Sequence, residues 1–341
     1  MKKKKIIHVL FSGNVSGAEN IAMKLISETS GHVNSYYLSP SGRINDVLKE
    51  KQINHLIWDL SIFQFIVYIW KIKPDVIHAH DFKASLLCGF FVWKSRMISH
   101  LHQNPPWLEY WNYKSILYFI VAFRYKAIVI VSNWEMGKQN VLSRLNSKVN
   151  VINNIIDFNE VEKKSSEYLI QSSYDLIFLG RLSPEKDPLR FLQIIENVSL
   201  AYPSVSVAVV GDGSLMNECE DFVNNKLSHV KIDFYGYQSN PYPILKKSKA
   251  IVITSKWEGF GLVALEAAIL NVKIIAASCG GLINIVNSNC GYLCKTNTEF
   301  TDAILHVLAN DEIINFECIK SLKSFGDKAK WRDNFLALWY N

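Results

Sequence analysis

No apolar run in this sequence is long enough to cross a membrane. The most apolar segment, residues 62–70, falls far short of the roughly 20 residues that a membrane-spanning helix needs. The run from Ile6 to Phe11, after the N-terminal lysines, is too short for the apolar core of a signal peptide and ends in Ser-Gly-Asn. We predict that it forms a buried first strand, and we expect a soluble cytoplasmic protein or one bound at most to the inner face of a membrane.

Cysteines are few, with six among 341 residues, and they are scattered. Cys290 and Cys294 are the only close pair, and no histidine or cysteine partners stand at zinc-ligand spacing beside them. The sequence therefore predicts free thiols, as is usual in a reducing cytosol.

Charged residues are also scarce, at 20%, whereas apolar residues make up 49%, which argues against a disordered chain. The 37 basic and 31 acidic residues leave a net charge of +6. This mild, diffuse excess does not indicate a nucleic-acid partner, but it is compatible with anionic small molecules or an anionic membrane. A chain of this length has room for two ordinary domains.

Strand-like and helix-like segments alternate along the whole chain. The predicted strands cover residues 6–10, 33–38, 55–58, 75–79, 97–101, 127–131, 149–152, 175–179, 205–210, 230–235, 250–254 and 272–276. Predicted helices between them include residues 18–28, 44–51, 134–145, 188–200, 214–224 and 262–270. Continuous apolar strands separated by helices predict parallel sheets that are covered on both faces.

We therefore predict an α/β fold with two doubly wound, Rossmann-like domains that face a cleft. The first domain is predicted at residues 1–160 and the second at residues 174–325. The polar residues 161–173 are predicted to be the linker.

Two segments that follow predicted strands could bind an anion. Residues 11–19 contain glycines next to a helix start, although taken alone they are better explained as an ordinary flexible loop. In residues 180–188, Asp187 is placed to cap the helix that begins at Pro188. Arg181 and Lys186 then flank a rigid loop where they could grip a diphosphate, or they could be two solvated surface charges.

A third segment carries two glutamates. Glu258 precedes a Gly-Phe-Gly turn that opens an apolar helix, and Glu266 lies on that helix. A buried carboxylate needs a partner, and sugar hydroxyls would serve both glutamates, while the helix N-terminus would meet a phosphate. The alternative is that Glu266 pairs with a core arginine or lysine.

Two other patterns predict no cofactor. Gly211-Asp212-Gly213 lacks the third glycine of a dinucleotide fingerprint, because that position is Met216, so we interpret it as a tight turn. The histidines at positions 78, 80, 100 and 102 alternate on two strands, but no carboxylate or cysteine completes a metal-ligand pattern. We predict no metal and interpret His102 as a hydrogen-bond donor to a substrate.

In this order and spacing, the segments resemble the retaining GT-B glycosyltransferases of the family-4 type. The resemblance covers nearly the whole chain. It rests on the run from Gly180 to Lys186 and on the Glu258-x7-Glu266 spacing. Softer matches are residues 16–19, 74–80 and 151–157, Gly280-Gly281, and residues 331–340, which look like a terminal helix (predicted at residues 326–341) that crosses back onto the first domain.

The resemblance implies a role for each matching residue. Arg181 and Lys186 would bind the donor diphosphate, Glu258 the donor sugar and Glu266 the ribose hydroxyls. The remaining implied positions are the backbone amides of Gly259, Phe260, Gly261, Leu262 and Val263 around the sugar and phosphates, Gly17 near the diphosphate, His102 near the reactive face of the sugar, and Gly236 and Tyr237 beside the base.

The implied activity is transfer of a sugar, with retention and without a metal, from a nucleotide-diphosphate sugar to a hydroxyl of a saccharide or lipid-linked acceptor. A UDP-sugar donor and a role in surface polysaccharide synthesis are favoured. A nucleotide-sugar 2-epimerase of the same architecture and a non-catalytic nucleotide-sugar-binding partner remain as alternatives.

The segment Pro105–Lys114 is unusually aromatic. Together with the N-terminal lysines, it indicates a peripheral protein at a membrane surface. Aromatic packing around an acceptor pocket or under a lid is the alternative interpretation.

Overall fold

The structure, a computed structural model, describes residues 3–93, 95–103, 106–132, 140–310, 314 and 316–340. The chain divides into two compact units, residues 1–155 with 327–341 and residues 156–326. The division falls at residue 155 rather than 160.

The first unit contains a seven-stranded sheet in which every pairing is parallel, with the order β3-β2-β1-β4-β5-β6-β7. Its strands are β1 (Lys5–Val9), β2 (Asn34–Ser39), β3 (His55–Ile57), β4 (Val76–His80), β5 (Arg96–Leu101), β6 (Ala127–Ile130) and β7 (Val149–Val151). The helices before residue 156 are α1 (Gly17–Thr29), α2 (Ile44–Glu50), α3 (Ile62–Ile72), α4 (Phe82–Phe91), α5 (Tyr113–Ala122) and α6 (Asn140–Arg144). Of the helix predicted at 134–145, residues 134–139 lie outside the described part of the chain.

The second unit contains a six-stranded, all-parallel sheet with the order β10-β9-β8-β11-β12-β13. Its strands are β8 (Tyr174–Leu179), β9 (Ser206–Val210), β10 (Lys231–Gly236), β11 (Ser248–Ile253), β12 (Lys273–Ala277) and β13 (Gly291–Cys294). Its helices are α7 (Phe158–Lys164), α8 (Pro188–Ala201), α9 (Met216–Lys226), α10 (Tyr242–Lys246), α11 (Leu262–Ile269), α12 (Leu282–Ile285), α13 (Asn297–Asn310) and α14 (Phe316–Leu322). Helix α7 includes the beginning of the predicted linker.

The predicted α/β class and the predicted parallel strands are confirmed. The twelve predicted strands correspond to β1 through β12, with ends that differ by one or two residues. The pattern missed β13, which is short and begins with a glycine. It also assigned no helix to α3–α5, α7, α10 or α12–α14.

The last helix, α15 (Lys328–Tyr340), belongs to the first unit. It buries Trp331, Phe335 and Trp339. The Lys4 ammonium donates a hydrogen bond to the carbonyl of Trp339 over 2.9 Å, and the Tyr340 hydroxyl donates to the carbonyl of His32 over 3.1 Å. The return of the terminal helix to the first unit is therefore as the resemblance implied.

The prediction that all six cysteines are free is wrong. Cys290 and Cys318 form a disulfide, although they lie 28 residues apart in sequence. Cys290 precedes β13 and Cys318 lies on α14, so only the fold brings the two together. Cys88, Cys219, Cys279 and Cys294 form no disulfide.

In the part of the chain that the structure describes, every helix is too short or too polar to span a lipid bilayer.

Candidate functional site

The loop after β8 is held tightly at the carboxyl edge of the second sheet. The Thr254 hydroxyl donates hydrogen bonds to the carbonyls of Lys186 (3.1 Å) and Asp187 (2.9 Å). Asp187 has a positive φ of 52° and makes no side-chain capping bond to α8. Its carboxylate instead lies 3.4 Å from the Lys256 ammonium, so the predicted N-cap role of Asp187 is wrong. Thr254, which directly follows β11, therefore fixes the backbone of the loop after β8.

Lys186 and Glu258 form an ion pair at this edge. The Lys186 ammonium donates to Glu258 Oε2 over 2.5 Å, and the Ser255 hydroxyl donates to the same oxygen over 3.1 Å. Both charged side chains are mostly buried, with 22% and 15% of their surfaces exposed. A pair shielded in this way interacts more strongly than one at the open surface.

Arg181 occupies a different environment. Its guanidinium pairs with Glu185 over 2.8 Å, and about half of the arginine side chain is exposed. The structure therefore brings one of the two predicted cations, Lys186, to Glu258, whereas it pairs the other with a neighbour on its own loop.

The Gly-Phe-Gly turn presents the N-terminus of α11. Gly261 has a φ of +94°, which glycine adopts readily, and its carbonyl accepts the first helical hydrogen bonds from the amides of Ala264 and Leu265. The amides of Leu262 and Val263 precede those bonds and lie in the first turn, where an anion is stabilised.

The glycine pair after β12, Gly280-Gly281, packs against the backbone of this turn. A Cβ built on Gly280 would lie 1.7 Å from the carbonyl oxygen of Glu258, and Gly280 has a φ of +51°. Only glycine fits here, so the Gly280-Gly281 backbone fixes the position of the Glu258 turn.

Glu266 is half-buried, and among the described residues it has one hydrogen-bond partner. The Tyr242 hydroxyl donates to Glu266 Oε1 over 3.1 Å. Burial raises the pKa of Glu266 to about 7, while the tyrosine hydrogen bond opposes that rise. The positive charge of Lys164 also opposes the rise, although its salt bridge is with Glu160. The hydrogen-bond partner of Glu266 is thus Tyr242, which was not found from the sequence.

A pocket joins several of these groups. It is lined by Lys186 and Glu258, by Gly261 and Val263 of the α11 turn, and by the carboxyl ends of β8 and β11. Strands β8 and β11 are the neighbours at which the order of the sheet reverses. Ligands of open α/β sheets bind at such a switch point. Gly236 and Tyr237 lie at the carboxyl end of β10, two strands away from β8.

Residues 160–330 match the family model described as glycosyl transferases group 1. This chain belongs to that family. Among curated relatives, the UDP-Gal:alpha-D-GlcNAc-diphosphoundecaprenol alpha-1,3-galactosyltransferase of Escherichia coli is 26% identical over 359 residues, covering 92% of this chain and 90% of the relative. An uncharacterized glycosyltransferase of Methanocaldococcus jannaschii is 27% identical over 258 residues, covering 68% of this chain and 64% of the relative.

Solved structures give the same fold for this group 1 glycosyltransferase. HepE of Anabaena, in complex with UDP and glucose, matches with a TM-score of 0.82 at 17% identity, covering 98% of both chains. The lipopolysaccharide outer core galactosyltransferase WaaB matches with a TM-score of 0.69 at 16% identity, covering 99% of both chains. The two Rossmann-like units are those of the GT-B fold.

Two predicted site residues of the glycosyltransferase lie on the first unit, Gly17 and His102. Gly17 is the first residue of α1, and a Cβ placed on it would meet no atom within 4 Å. Beside it, the Ser16 hydroxyl donates a hydrogen bond to the Glu19 carboxylate. The space next to the Gly17 backbone is therefore open to a ligand.

His102 belongs to a cluster of stacked histidine rings at neighbouring strand ends of the first sheet. Its Nε2 lies 2.9 Å from His80 Nδ1, and His80 Nε2 lies 3.0 Å from His8 Nδ1. Rings of His78 and His100 stack against these. His8 was not grouped with the others from the sequence, although its strand β1 pairs with β4 in a register that sets His8 opposite His78.

The cluster is electrically neutral at physiological pH. Burial lowers the pKa of His8 and of His102 to about 3, and it holds the pKa values of the other three rings well below the usual range. His102 Nε2 is bonded to His80, and His102 Nδ1 is buried without a partner. The contact of His102 with a donor sugar stays a prediction.

Some residues of the aromatic segment 105–114 pack in the protein, and others are exposed as a membrane contact would require. Pro105 lies outside the described residues. Trp107 packs against Phe82, with ring centroids 4.5 Å apart, as part of the core. Trp111 and Tyr113 are exposed instead. The N-terminal lysines bind backbone: Lys3, Lys4 and Lys5 donate to the carbonyls of Ser30, Trp339 and Ile72.

Proposed function

We propose that this protein transfers a sugar from a nucleotide-diphosphate sugar to a hydroxyl of a saccharide or lipid-linked acceptor, with retention, as one step of bacterial surface polysaccharide synthesis. A UDP-sugar is the favoured donor. The E. coli relative carries UDP-Gal in its name, and HepE was solved with UDP and glucose.

The observation that carries the proposal is the Lys186–Glu258 pair at the α11 turn. Without a donor, the two side chains neutralise each other within a mostly buried pocket. The diphosphate of a bound donor would compete with Glu258 for the Lys186 ammonium. Glu258 would then be free to accept hydrogen bonds from sugar hydroxyls. The two side chains would thus bind both the diphosphate and the sugar of the donor.

The chemistry needs a group that stabilises charge on the leaving nucleoside diphosphate. As the bond between the anomeric carbon and the phosphate oxygen breaks, negative charge grows on that oxygen. Lys186, the amides of Leu262 and Val263, and the α11 dipole would stabilise it, each contributing on the order of a few kcal/mol to the barrier. Arg181 would further stabilise the negative charge on the leaving oxygen once its ion pair with Glu185 breaks. This set of groups replaces a metal ion in the scheme.

Retention follows if the acceptor attacks from the face on which the diphosphate leaves. The acceptor oxygen forms its bond to the anomeric carbon while the phosphate oxygen departs, and the acceptor proton passes to that departing oxygen. The enzyme then needs no covalent intermediate and no separate base. Glu266 would hold the ribose hydroxyls, which donate to its carboxylate.

A membrane surface suits a lipid-linked acceptor, and the exposed side of α5 fits such a surface. We define the α5 patch as the exposed side chains of Tyr113, Ile116, Ile120 and Phe123 with the exposed Trp93 after α4. The Arg124 guanidinium lies 4.1 Å from the centroid of the Trp93 ring. Lys148 lies 6.0 Å from that of Phe123. Aromatic and apolar groups mixed with cations favour an interface of anionic lipid.

A screen of nucleotides followed by turnover assays tests the proposal. UDP, GDP and ADP would be compared for their effect on the melting temperature, because a ligand that binds the folded state raises it by mass action. Transfer requires an acceptor, whereas a 2-epimerase would convert the donor alone and a binding partner would do neither. No stabilisation by any of the three nucleotides, together with no turnover of a nucleotide-sugar, would overturn the proposal.

A further inference from the structure

The histidine cluster of the first unit contains an unusual number of unsatisfied polar atoms. Among the residues that the structure describes, the cluster nitrogens that are buried and have no hydrogen-bond partner are His8 Nε2, both nitrogens of His78, both nitrogens of His100 and His102 Nδ1. More than about 90% of buried polar groups in proteins have a partner. Six orphaned acceptors or donors in one cluster therefore indicate a ligand that binds nitrogen.

The fold explains why the rings converge. Strand β4 lies between β1 and β5, and the register sets His80 opposite His100. Alternate residues of a strand share a face, so the His-x-His pairs of β4 and of the β5 end project to the same side of the sheet. Within that set, one ligand atom each from His80, His100 and His102 lies within 4.8 Å of the others.

We propose that His80, His100 and His102 bind one divalent transition-metal ion, for which Zn²⁺ is the best fit. Neutral imidazole nitrogen is a preferred zinc ligand, and three histidines with an open fourth position are a known zinc geometry. Two nitrogens on one tetrahedral zinc lie roughly 3.3 Å apart, so small ring rotations would close the site. Without carboxylates, the set does not suit Mg²⁺ or Ca²⁺.

A second group of three, His8, His78 and His80, is less suitable. His8 and His78 are completely buried, whereas His102 is partly exposed and gives an ion access to the site. His8 has a supporting role instead. If His80 binds the metal through Nδ1, it exchanges its 2.9 Å contact with His102 Nε2 for the ion. Its Nε2–H remains directed at His8 Nδ1, 3.0 Å away, which would fix the ring orientation as outer partners of zinc-bound histidines do.

This assignment gives His102 a different role from the sugar contact that the resemblance implied. It does not depend on the proposed transfer reaction, since the metal would bind to the first unit whether or not donor is turned over. The sequence argument against a metal required a carboxylate or cysteine to complete the ligand set, and the convergence of histidines removes that requirement.

The test uses the full chain without a histidine tag, stripped of metal with a chelator and then dialysed. Calorimetric titration with Zn²⁺ should show one ion bound per chain and a rise in melting temperature of about 5 °C at saturation. Co²⁺ should give the visible absorption bands of a tetrahedral nitrogen site, which reports on the unmodified protein. His100→Ala and His102→Ala should each weaken Zn²⁺ binding by more than about 100-fold, and His8→Ala by about 10- to 100-fold.

Two control variants complete the design. His78→Phe, which keeps a ring in the cluster, and His32→Ala, an exposed histidine elsewhere on the first unit, should bind Zn²⁺ within about threefold of wild type. No stoichiometric binding of Zn²⁺ or Co²⁺ by folded wild-type protein would overturn the proposal, because water would then satisfy these nitrogens. Equal loss of binding in His78→Phe and retention in His102→Ala would contradict the assigned ligand set.

Discussion

The Tyr242 hydroxyl donates a hydrogen bond to the half-buried Glu266 carboxylate over 3.1 Å and so links α10 to α11. Because burial raises the pKa of Glu266 to about 7, this carboxylate changes its protonation state near physiological pH. Removing the tyrosine hydroxyl would remove a contact that holds the pKa down.

Binding of a UDP-sugar should therefore depend on pH. Ribose hydroxyls donate to the ionised carboxylate, so affinity should be highest above pH 7 and should fall as the pH drops through about 7. Tyr242→Phe should move the midpoint to higher pH. Isothermal titration from pH 6 to pH 8.5 measures both effects.

Glu266→Gln is the control for that series. It should bind the donor about 10- to 100-fold more weakly at pH 8, the cost of losing a hydrogen bond to a charged group, and its affinity should not follow the same midpoint. Wild-type affinity that stays constant over this pH range would show that Glu266 does not bind the ribose.

Gly17→Ala should separate ligand binding from folding. Since a Cβ at this position meets no atom within 4 Å, the free energy of unfolding should stay unchanged or rise by up to about 1 kcal/mol, as for glycine to alanine in a helix. If the diphosphate lies beside this backbone, the donor KM should rise at least about 10-fold. Urea denaturation and steady-state kinetics measure the two effects.

Gly280→Ala is the contrasting variant. Its Cβ would collide with the Glu258 carbonyl, and its φ is positive, so the unfolding free energy should fall by about 1–3 kcal/mol or more. If the donor KM of Gly17→Ala equals that of wild type, Gly17 does not contribute to the donor site.

The Cys290–Cys318 disulfide should stabilise the second unit. Because it closes a loop of 28 residues, Cys318→Ser should lower the free energy of unfolding by about 2–4 kcal/mol. Dithiothreitol should lower wild-type stability to the level of the variant and leave the variant unchanged. Identical denaturation curves for wild type with and without the reductant would mean that the bond does not form in solution.

The α5 patch should govern membrane binding. Ile120→Glu with Phe123→Glu should reduce co-sedimentation with anionic phosphatidylglycerol vesicles at least about 10-fold, and higher salt should weaken binding by wild type. Leu200→Glu is the matched control, since Leu200 is exposed on the second unit and lies outside the patch. Equal binding by the patch variant and the control would rule out this surface.

The sequence was sufficient to predict the two parallel sheets, because their strands are continuous apolar runs. Buried strands of that kind are easily told from loops. The sequence also led us to select Lys186 and Glu258, which follow β8 and β11 at the edge where ligands bind, and Glu266 on the helix after Glu258; their roles stay predictions. Glu258 and Glu266 lie close enough along the chain to be recognised as a motif.

Contacts between distant segments were not predictable in the same way. Nothing in the local pattern pairs Lys186 with Glu258, Tyr242 with Glu266, or Cys290 with Cys318, because each pair forms only when separate elements pack together. His8 was missed for the same reason: its closeness to His78 depends on which strands are neighbours in the sheet. Asp187 was misjudged because its carboxylate binds Lys256 instead of the helix N-terminus.

The central claim is that Lys186 binds the donor diphosphate and stabilises it as it leaves. The most direct measurement is the turnover of UDP-sugar by Lys186→Ala beside Lys256→Ala, whose ammonium pairs with Asp187 at the same sheet edge. We predict that Lys186→Ala keeps its circular dichroism spectrum and loses about 100- to 1,000-fold in kcat, while Lys256→Ala stays within about threefold of wild type. Turnover by Lys186→Ala close to that of Lys256→Ala would contradict the account.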